Sequence, residues 1–187
     1  VVGEAGSLSG RVEQGESGVK KAIILLGLMA IAAAPSSPIT SLAGRYSKHF
    51  QNGFVDGSKY WSDDVVEIVP VDATHAYFRA ELEFYNGHSC SIAGVAKTVG
   101  NTLVYREKQP SYDGGPTCRL TITTKGKSLL LDDGDGGCQS YCGARGSLNG
   151  FDLIPLSSKR PISYMARLKG SSEYKSAIDA WKSGKTD

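Results

Sequence analysis

This chain has little net charge. Its 21 Lys and Arg stand against 19 Asp and Glu, and a net charge of +2 supplies no field for capturing a nucleic-acid backbone. Histidine is sparse: His49, His75 and His88 are scattered, so no His-based metal cluster is written here. Glycine is plentiful at 23 but follows no fixed period, which excludes collagen and simple repeats. Long apolar runs are absent but for one near the N-terminus. What remains is 187 residues, 40% hydrophobic and 21% charged, enough for one globular core and too apolar for global disorder.

The one apolar run has the anatomy of an export signal. Lys20-Lys21 precede an apolar stretch from Ala22 to Ile31, followed by Ala32-Ala33-Ala34-Pro35. A basic start, a short hydrophobic stretch and small residues in A-x-A spacing make a secretory signal peptide. The run is too short and too rich in alanine for a comfortable membrane span; a buried helix or an uncleaved anchor is the alternative. We expect a signal peptide over 19–34, cut after Ala32 or Ala34. Residues 1–18, rich in Gly, Ser and Glu, read as a disordered or non-native extension. The mature chain is then periplasmic or secreted, with no stable membrane span and no nucleic-acid partner, and is expected to be a monomer.

Cys90, Cys118, Cys138 and Cys142 all follow the signal, an even number in an oxidising compartment, so two disulfides are expected. The C-x3-C spacing at 138–142 suits a metal site poorly. Strand signals organise the stretch between them. Residues 65–69 form a β-rich run ended by Pro70, and Phe78, Ala80, Leu82 and Phe84 then alternate with charged residues, the period of a half-buried strand. Asn86-Gly87 is a hairpin turn, and residues 90–96 return as its partner. Gly100-Asn101 turns into 103–105, a loop from Pro110 to Pro116 leads to 118–122, and Lys125-Gly126 turns into 129–131. The fold class is mainly β: a small antiparallel meander of five strands, preceded by the 65–69 strand, closed into a barrel or rolled sheet to hide its edges.

Four cysteines allow three pairings, and the strand layout favours one. Cys90 and Cys118 begin strands that run the same way, the 129–131 strand delivers Cys138 beside Cys118, and Cys142 reaches towards Cys90. Cys118–Cys138 and Cys90–Cys142 are therefore expected, each contributing roughly 2–4 kcal/mol. After this β-domain (35–158), the segment 159–187 changes period. Tyr174, Ala177, Ile178 and Trp181 fall on one helical face, predicting a helix over about 172–183 with Ser172 as N-cap and Gly184 at its end. The segment carries seven Lys and Arg against three Asp and Glu. Such charges suit the flanks of a packed helix, or contact with anionic envelope material.

Phe84 to Ala96, Tyr141 to Leu148 (YCGARGSL) and Arg160 to Leu168 (RPISYMARL) together resemble a group of uncharacterised exported proteins of Gram-negative bacteria over roughly residues 60–182. The Cys-Gly-Ala-Arg-Gly-Ser segment is also similar to the C-terminal module of some LprI-type, lysozyme inhibitor-like proteins. The resemblance implies export, a β-fold, disulfides and, through the second likeness, an envelope protein or muramidase as partner. It implies no catalytic residues.

Several residues are candidates for a site. Arg145, between Gly143 and Gly146-Ser147, is the foremost. Glycines and a preceding disulfide would hold its guanidinium out on a rigid loop, where it could fork a carboxylate; the alternative is an internal acidic partner. His88, beside the Asn86-Gly87 turn, lacks a framed nucleophile, so a binding or turn role fits better than general base. Asp132-Asp133-Gly134-Asp135 invites calcium but fails the EF-hand spacing and reads as a tight acidic loop. Trp61, Tyr60 and Tyr46 are core or rim aromatics. No cofactor or metal is called for. The functional expectation is a non-enzymatic binding or inhibitor-type domain with Arg145, Gly143, Ser147 and His88 at its site. An enzyme acting on envelope polymers and a structural envelope-stress protein are the alternatives.

Overall fold

The computed structural model of the chain describes residues 1–3, 6, 10, 38–110 and 114–187. The expected signal peptide and its cut, the greater part of the 1–18 extension and the centre of the 110–116 loop lie outside the described residues. The described residues from 38 onward form one compact unit.

This unit is an antiparallel half-barrel of eight strands in sequential order. They are β1 (Gly44–Gly53), β2 (Lys59–Pro70), β3 (His75–Glu83), β4 (Ser89–Val99), β5 (Thr102–Arg106), β6 (Arg119–Lys125), β7 (Ser128–Asp132) and β8 (Asn149–Pro155). The strand expected at 65–69 is the second half of β2, and β1 and β8 were not anticipated. The reason is compositional: β1 reads Gly-Arg-Tyr-Ser-Lys-His-Phe-Gln-Asn-Gly, with no clean apolar alternation. Arg45 and Arg160 exchange two backbone hydrogen bonds of 2.8 Å, and Ser47 N–H donates to Ser158 Oγ. The first strand is thereby tied to the chain just beyond the last, which protects both edges.

Period 2 decides what fills the half-barrel. Ala76, Phe78, Ala80 and Leu82 of β3 point inward and are buried with Val66, Ile68, Ile92, Leu120, Ile122 and Ile154. Each large aliphatic side chain so buried contributes about 1.5–3 kcal/mol relative to exposure. Tyr46 is fully buried among them and donates from its hydroxyl to Leu42 O at the end of α1 (Pro38–Leu42). The turns follow their glycines. Asn86 and Gly87 both hold the left-handed backbone, although the loop is one residue longer than a two-residue turn, since Phe84 N–H bonds His88 O. Gly100 likewise turns β4 into β5, with Val99 opposite Thr102.

The outer face of β2–β4 is not left to solvent. Helices α2 (Met165–Gly170) and α3 (Ser172–Lys182) lie on it, and Val69, Tyr77, Ile162, Leu168 and Ala177 form a second apolar cluster. The α3 helix spans the residues expected of it, but Ser171, not Ser172, is its N-cap: Ser171 Oγ accepts from Tyr174 N–H. Gly184, at φ +72°, ends it. Tyr174 packs on Tyr77 at 4.7 Å and Trp181 on His75 at 4.9 Å.

Beneath the helices sits a buried charge. Glu67 has no solvent exposure, and Arg79 reaches its Oε2 through Nε (3.0 Å) and Nη2 (2.8 Å). Tyr164, at the head of α2, donates its hydroxyl to Glu67 Oε1, while Arg79 Nη1 lies 3.3 Å from Glu173 of α3. An isolated buried carboxylate costs several kcal/mol, so this one depends on its partners. Arg79→Leu is expected to destabilise the protein by about 3 kcal/mol in denaturant unfolding, at the lower end for a broken buried pair because Arg79 retains some contact with water. Glu67→Leu combined with Arg79→Leu should restore most of that loss.

Candidate functional site

Both disulfides have the expected partners, Cys90–Cys142 and Cys118–Cys138, and no cysteine is free. Disulfides of this kind suit a periplasmic or extracellular compartment. Among the described residues, no helix is long and apolar enough to cross a membrane.

Cys90 and Cys142 also form an antiparallel β-bridge, and Gly143 N–H donates to Ser89 O at 2.7 Å. The next turn closes on itself: Gly146 N–H bonds Gly143 O at 3.0 Å, leaving Ala144 and Arg145 at its tip. Gln139 Nε2 donates to the carbonyls of both Gly143 and Gly146. Gly146 is required by contact, because a Cβ there would lie 2.9 Å from Cys90 Sγ and 3.0 Å from Ser89 O. The turn is thus clamped to the start of β4 on two sides. Arg145 is exposed at its tip and pairs with no carboxylate among the described residues.

The other expected site residues fall around this turn. His88 is half-buried beside it: a Cβ on Gly143 would stand 3.6 Å from His88 Nδ1. Ser147 is half-buried and its hydroxyl accepts from Asn149 N–H, so it braces the chain into β8. The acidic loop consumes its own carboxylates: Asp132, Asp133 and Asp135 accept from the N–H groups of Gly134, Cys138 and Gly137. Burial holds the Asp133 carboxyl above its usual range, and no three metal-ligating side chains come together among the described residues.

Tyr60 and Trp61, expected as core or rim aromatics, gather at the same end with Phe54 and Tyr85, while Tyr46 lies in the core. The β1–β2 hairpin tip rests on the β3–β4 loop, where Tyr85 donates to Phe54 O at 2.8 Å and Val55 N–H to Asn86 Oδ1 at 3.4 Å. Phe54 stacks on Tyr60, and Trp61 stacks on His49. Yet Val55 is 71% exposed, Trp61 64% and Tyr85 50%. Exposed apolar side chains gathered at one end are of the kind that marks an interaction surface.

Next to the Cys90–Cys142 bridge, β4 and β5 part. Their ladder spans only Lys97–Val99 against Thr102–Val104. Beyond it a cleft of about 780 Å³ opens, lined by Ser91 and Ala93 of β4, by Tyr105, Glu107 and Tyr141, and by Ala177 and Ala180 of α3. The tail of the chain takes the vacated edge of β5, with Asp187 N–H on Arg106 O and Lys108 N–H on Lys185 O. Glu107 accepts the hydroxyls of both Tyr105 and Tyr141. Burial, then the bond to Glu107, pushes the Tyr141 phenol up to about 12, and burial raises Tyr105 also. Nothing in the sequence marked Glu107; only the nearness of Tyr141 to Cys142 hinted that it would be held in place.

No family model matches the chain, and no curated protein or solved structure matches it.

Tyr105 and Tyr141 each give rise to an expectation. A Cβ at Gly94 would meet Tyr105 Cε2 at 2.4 Å with Phe78 close behind at 3.2 Å, so Gly94→Ala should cost about 1–3 kcal/mol in thermal or denaturant unfolding by overpacking. Tyr141 has a raised folded-state value, so its contribution to stability is complete below the ordinary phenol value of about 10 and is lost as pH rises through about 12. A phenolate absorbance titration should lose its step near 12 in Tyr141→Phe; loss of a step near 10 would contradict the buried placement.

Proposed function

We propose that this is an exported, non-enzymatic binding domain of inhibitor type, which engages a protein partner with the end of the half-barrel that carries Arg145. The observation that supports it best is Arg145 itself: a guanidinium with no carboxylate partner among the described residues, held out on a turn clamped by a disulfide bridge and four glycine-centred hydrogen bonds. The backbone of so restrained a turn loses little further freedom on binding, and a planar fork matches a carboxylate in two bonds. The flanking Tyr85, Phe54 and Val55 supply apolar area of the type that anchors protein interfaces. The partner surface is accordingly a cleft edge that offers a carboxylate and room for an aromatic ring. The likeness of the Cys-Gly-Ala-Arg-Gly-Ser segment to LprI-type modules favours a muramidase, whose reaction depends on carboxylates. The basic and apolar run at 20–34 favours delivery to the periplasm or beyond, after removal of a signal peptide.

The mature protein should inhibit, or bind in a calorimeter, one member of a panel of purified muramidases. Arg145→Ala should weaken that binding by about 1.5–3 kcal/mol, the range for hydrogen bonds to charged groups, or roughly 10- to 150-fold. Arg145→Lys should recover part of the loss, since an ammonium cannot reproduce the fork. Melting temperature should stay nearly unchanged in both. A large fall in melting temperature with unaltered binding would make Arg145 a strut and sink the proposal.

A further inference from the structure

A second site lies on the opposite side of the sheet from the core, away from Arg145, where the C-terminal helices meet β1 and β3. A cleft of about 430 Å³ there is lined by Arg45, Arg79, Tyr164, Arg167, Leu168 and Ser171. Three guanidinium groups from three elements line one concavity, with no carboxylate among its described lining residues. Arg79 is already engaged by Glu67, Glu81 and Glu173. Arg45 and Arg167 are not: neither pairs with a carboxylate among the described residues. Both stand by the same ring, since Arg167 Cζ lies 5.0 Å over Tyr164 and Arg45 lines the cleft beside it. The Tyr164 hydroxyl is spent as a donor on Glu67, so the donors open to a ligand belong to the two arginines. Ser171, at the rim, caps the N-terminus of the eleven-residue α3, whose dipole adds positive potential at this edge.

We propose that this cleft binds a phosphate oxyanion. Glu67, opposite Arg45 in the β1–β2 ladder and bonded to the same Tyr164 hydroxyl, is held by Arg79 and Tyr164, which leaves the Arg45 and Arg167 donors for an anion, and phosphate has the oxygens to take a two-pronged bond from each. A carboxylate could satisfy one fork and would leave the other unmet. The chemistry is shared by two sources, a lipid headgroup and a soluble phosphate ester, and the cationic bias of residues 159–187 draws either towards it.

The test titrates the isotope-labelled full chain with inorganic phosphate and follows the arginine Nε–H signals by NMR. Saturable shifts are expected at Arg45 and Arg167, and not in sodium chloride of matched ionic strength. Arg45→Ala and Arg167→Ala should each weaken phosphate binding at least tenfold, while Arg145→Ala leaves it unchanged, so this site and the proposed partner surface fail or stand separately. Arg167 is exposed, so its variant keeps the fold even where Arg45→Ala does not. Phosphatidylglycerol vesicles, set against phosphatidylcholine vesicles, separate the sources. Retention on the former that Arg167→Ala abolishes identifies a headgroup, and phosphate binding without retention identifies a soluble ester. Equal shifts in chloride, or phosphate binding that survives Arg167→Ala, overturns the site.

Discussion

The contact between Glu67 and Arg79 is the constraint on which the rest of the architecture hangs. Glu67 faces outward from β2, and in an ordinary antiparallel sheet with one wet face it would be solvated. Here it has no exposure, because α2 and α3 cover it. A carboxylate removed from water must be met by charge and hydrogen bonds, and it is met by Arg79 from the neighbouring strand and by the Tyr164 hydroxyl. Arg79 then extends to Glu173 in the first turn of α3. One buried charge therefore fixes the heads of both helices. Those helices in turn form a wall of the larger cleft beside β4 and of the arginine-lined cleft above β3.

The opposite end of the molecule is organised by covalent rather than ionic restraint. The Cys90–Cys142 bridge does more than shorten the unfolded chain, since it is continuous with a β-bridge and with the Gly143–Ser89 hydrogen bond. The turn bearing Arg145 consequently behaves as an extension of β4 rather than as a loop. Stiffness at that point is what makes an exposed arginine useful: little backbone entropy remains to be lost when a partner is met. The hairpin tip with Phe54 and Val55 is braced in the same way, through Tyr85 and Asn86.

Much of this was legible in the residues, and its limits are instructive. The alternation from Phe78 to Phe84 identified β3, the glycines at 87 and 100 identified turns, and the order of strands paired the cysteines correctly. The helix at 172–182 followed from a 3.6-residue period. By contrast β1 was silent, because inward positions such as Asn52 are polar and find partners inside the half-barrel, Asn52 reaching Ser62 Oγ and Phe84 O. Arg79 was legible as the polar face of a strand, but not as a group covered by a helix 94 residues further on.

The sequence by itself determined the elements that depend on neighbours in the chain. Period, turn chemistry and cysteine count act over a few residues, and they specified a disulfide-stapled β-meander with a terminal helix and a presented arginine. Only the tertiary structure decided what covers each outer face and which distant side chains share a concavity. A period of two separates one side of a strand from the other, but it does not say whether the polar side meets water or a helix. Glu107 with Tyr105 and Tyr141, and Arg45 with Arg167 around Tyr164, come together only because the sheet rolls and its C-terminal segment folds back upon it. Such contacts rest on long-range closure, which leaves no mark on local sequence pattern.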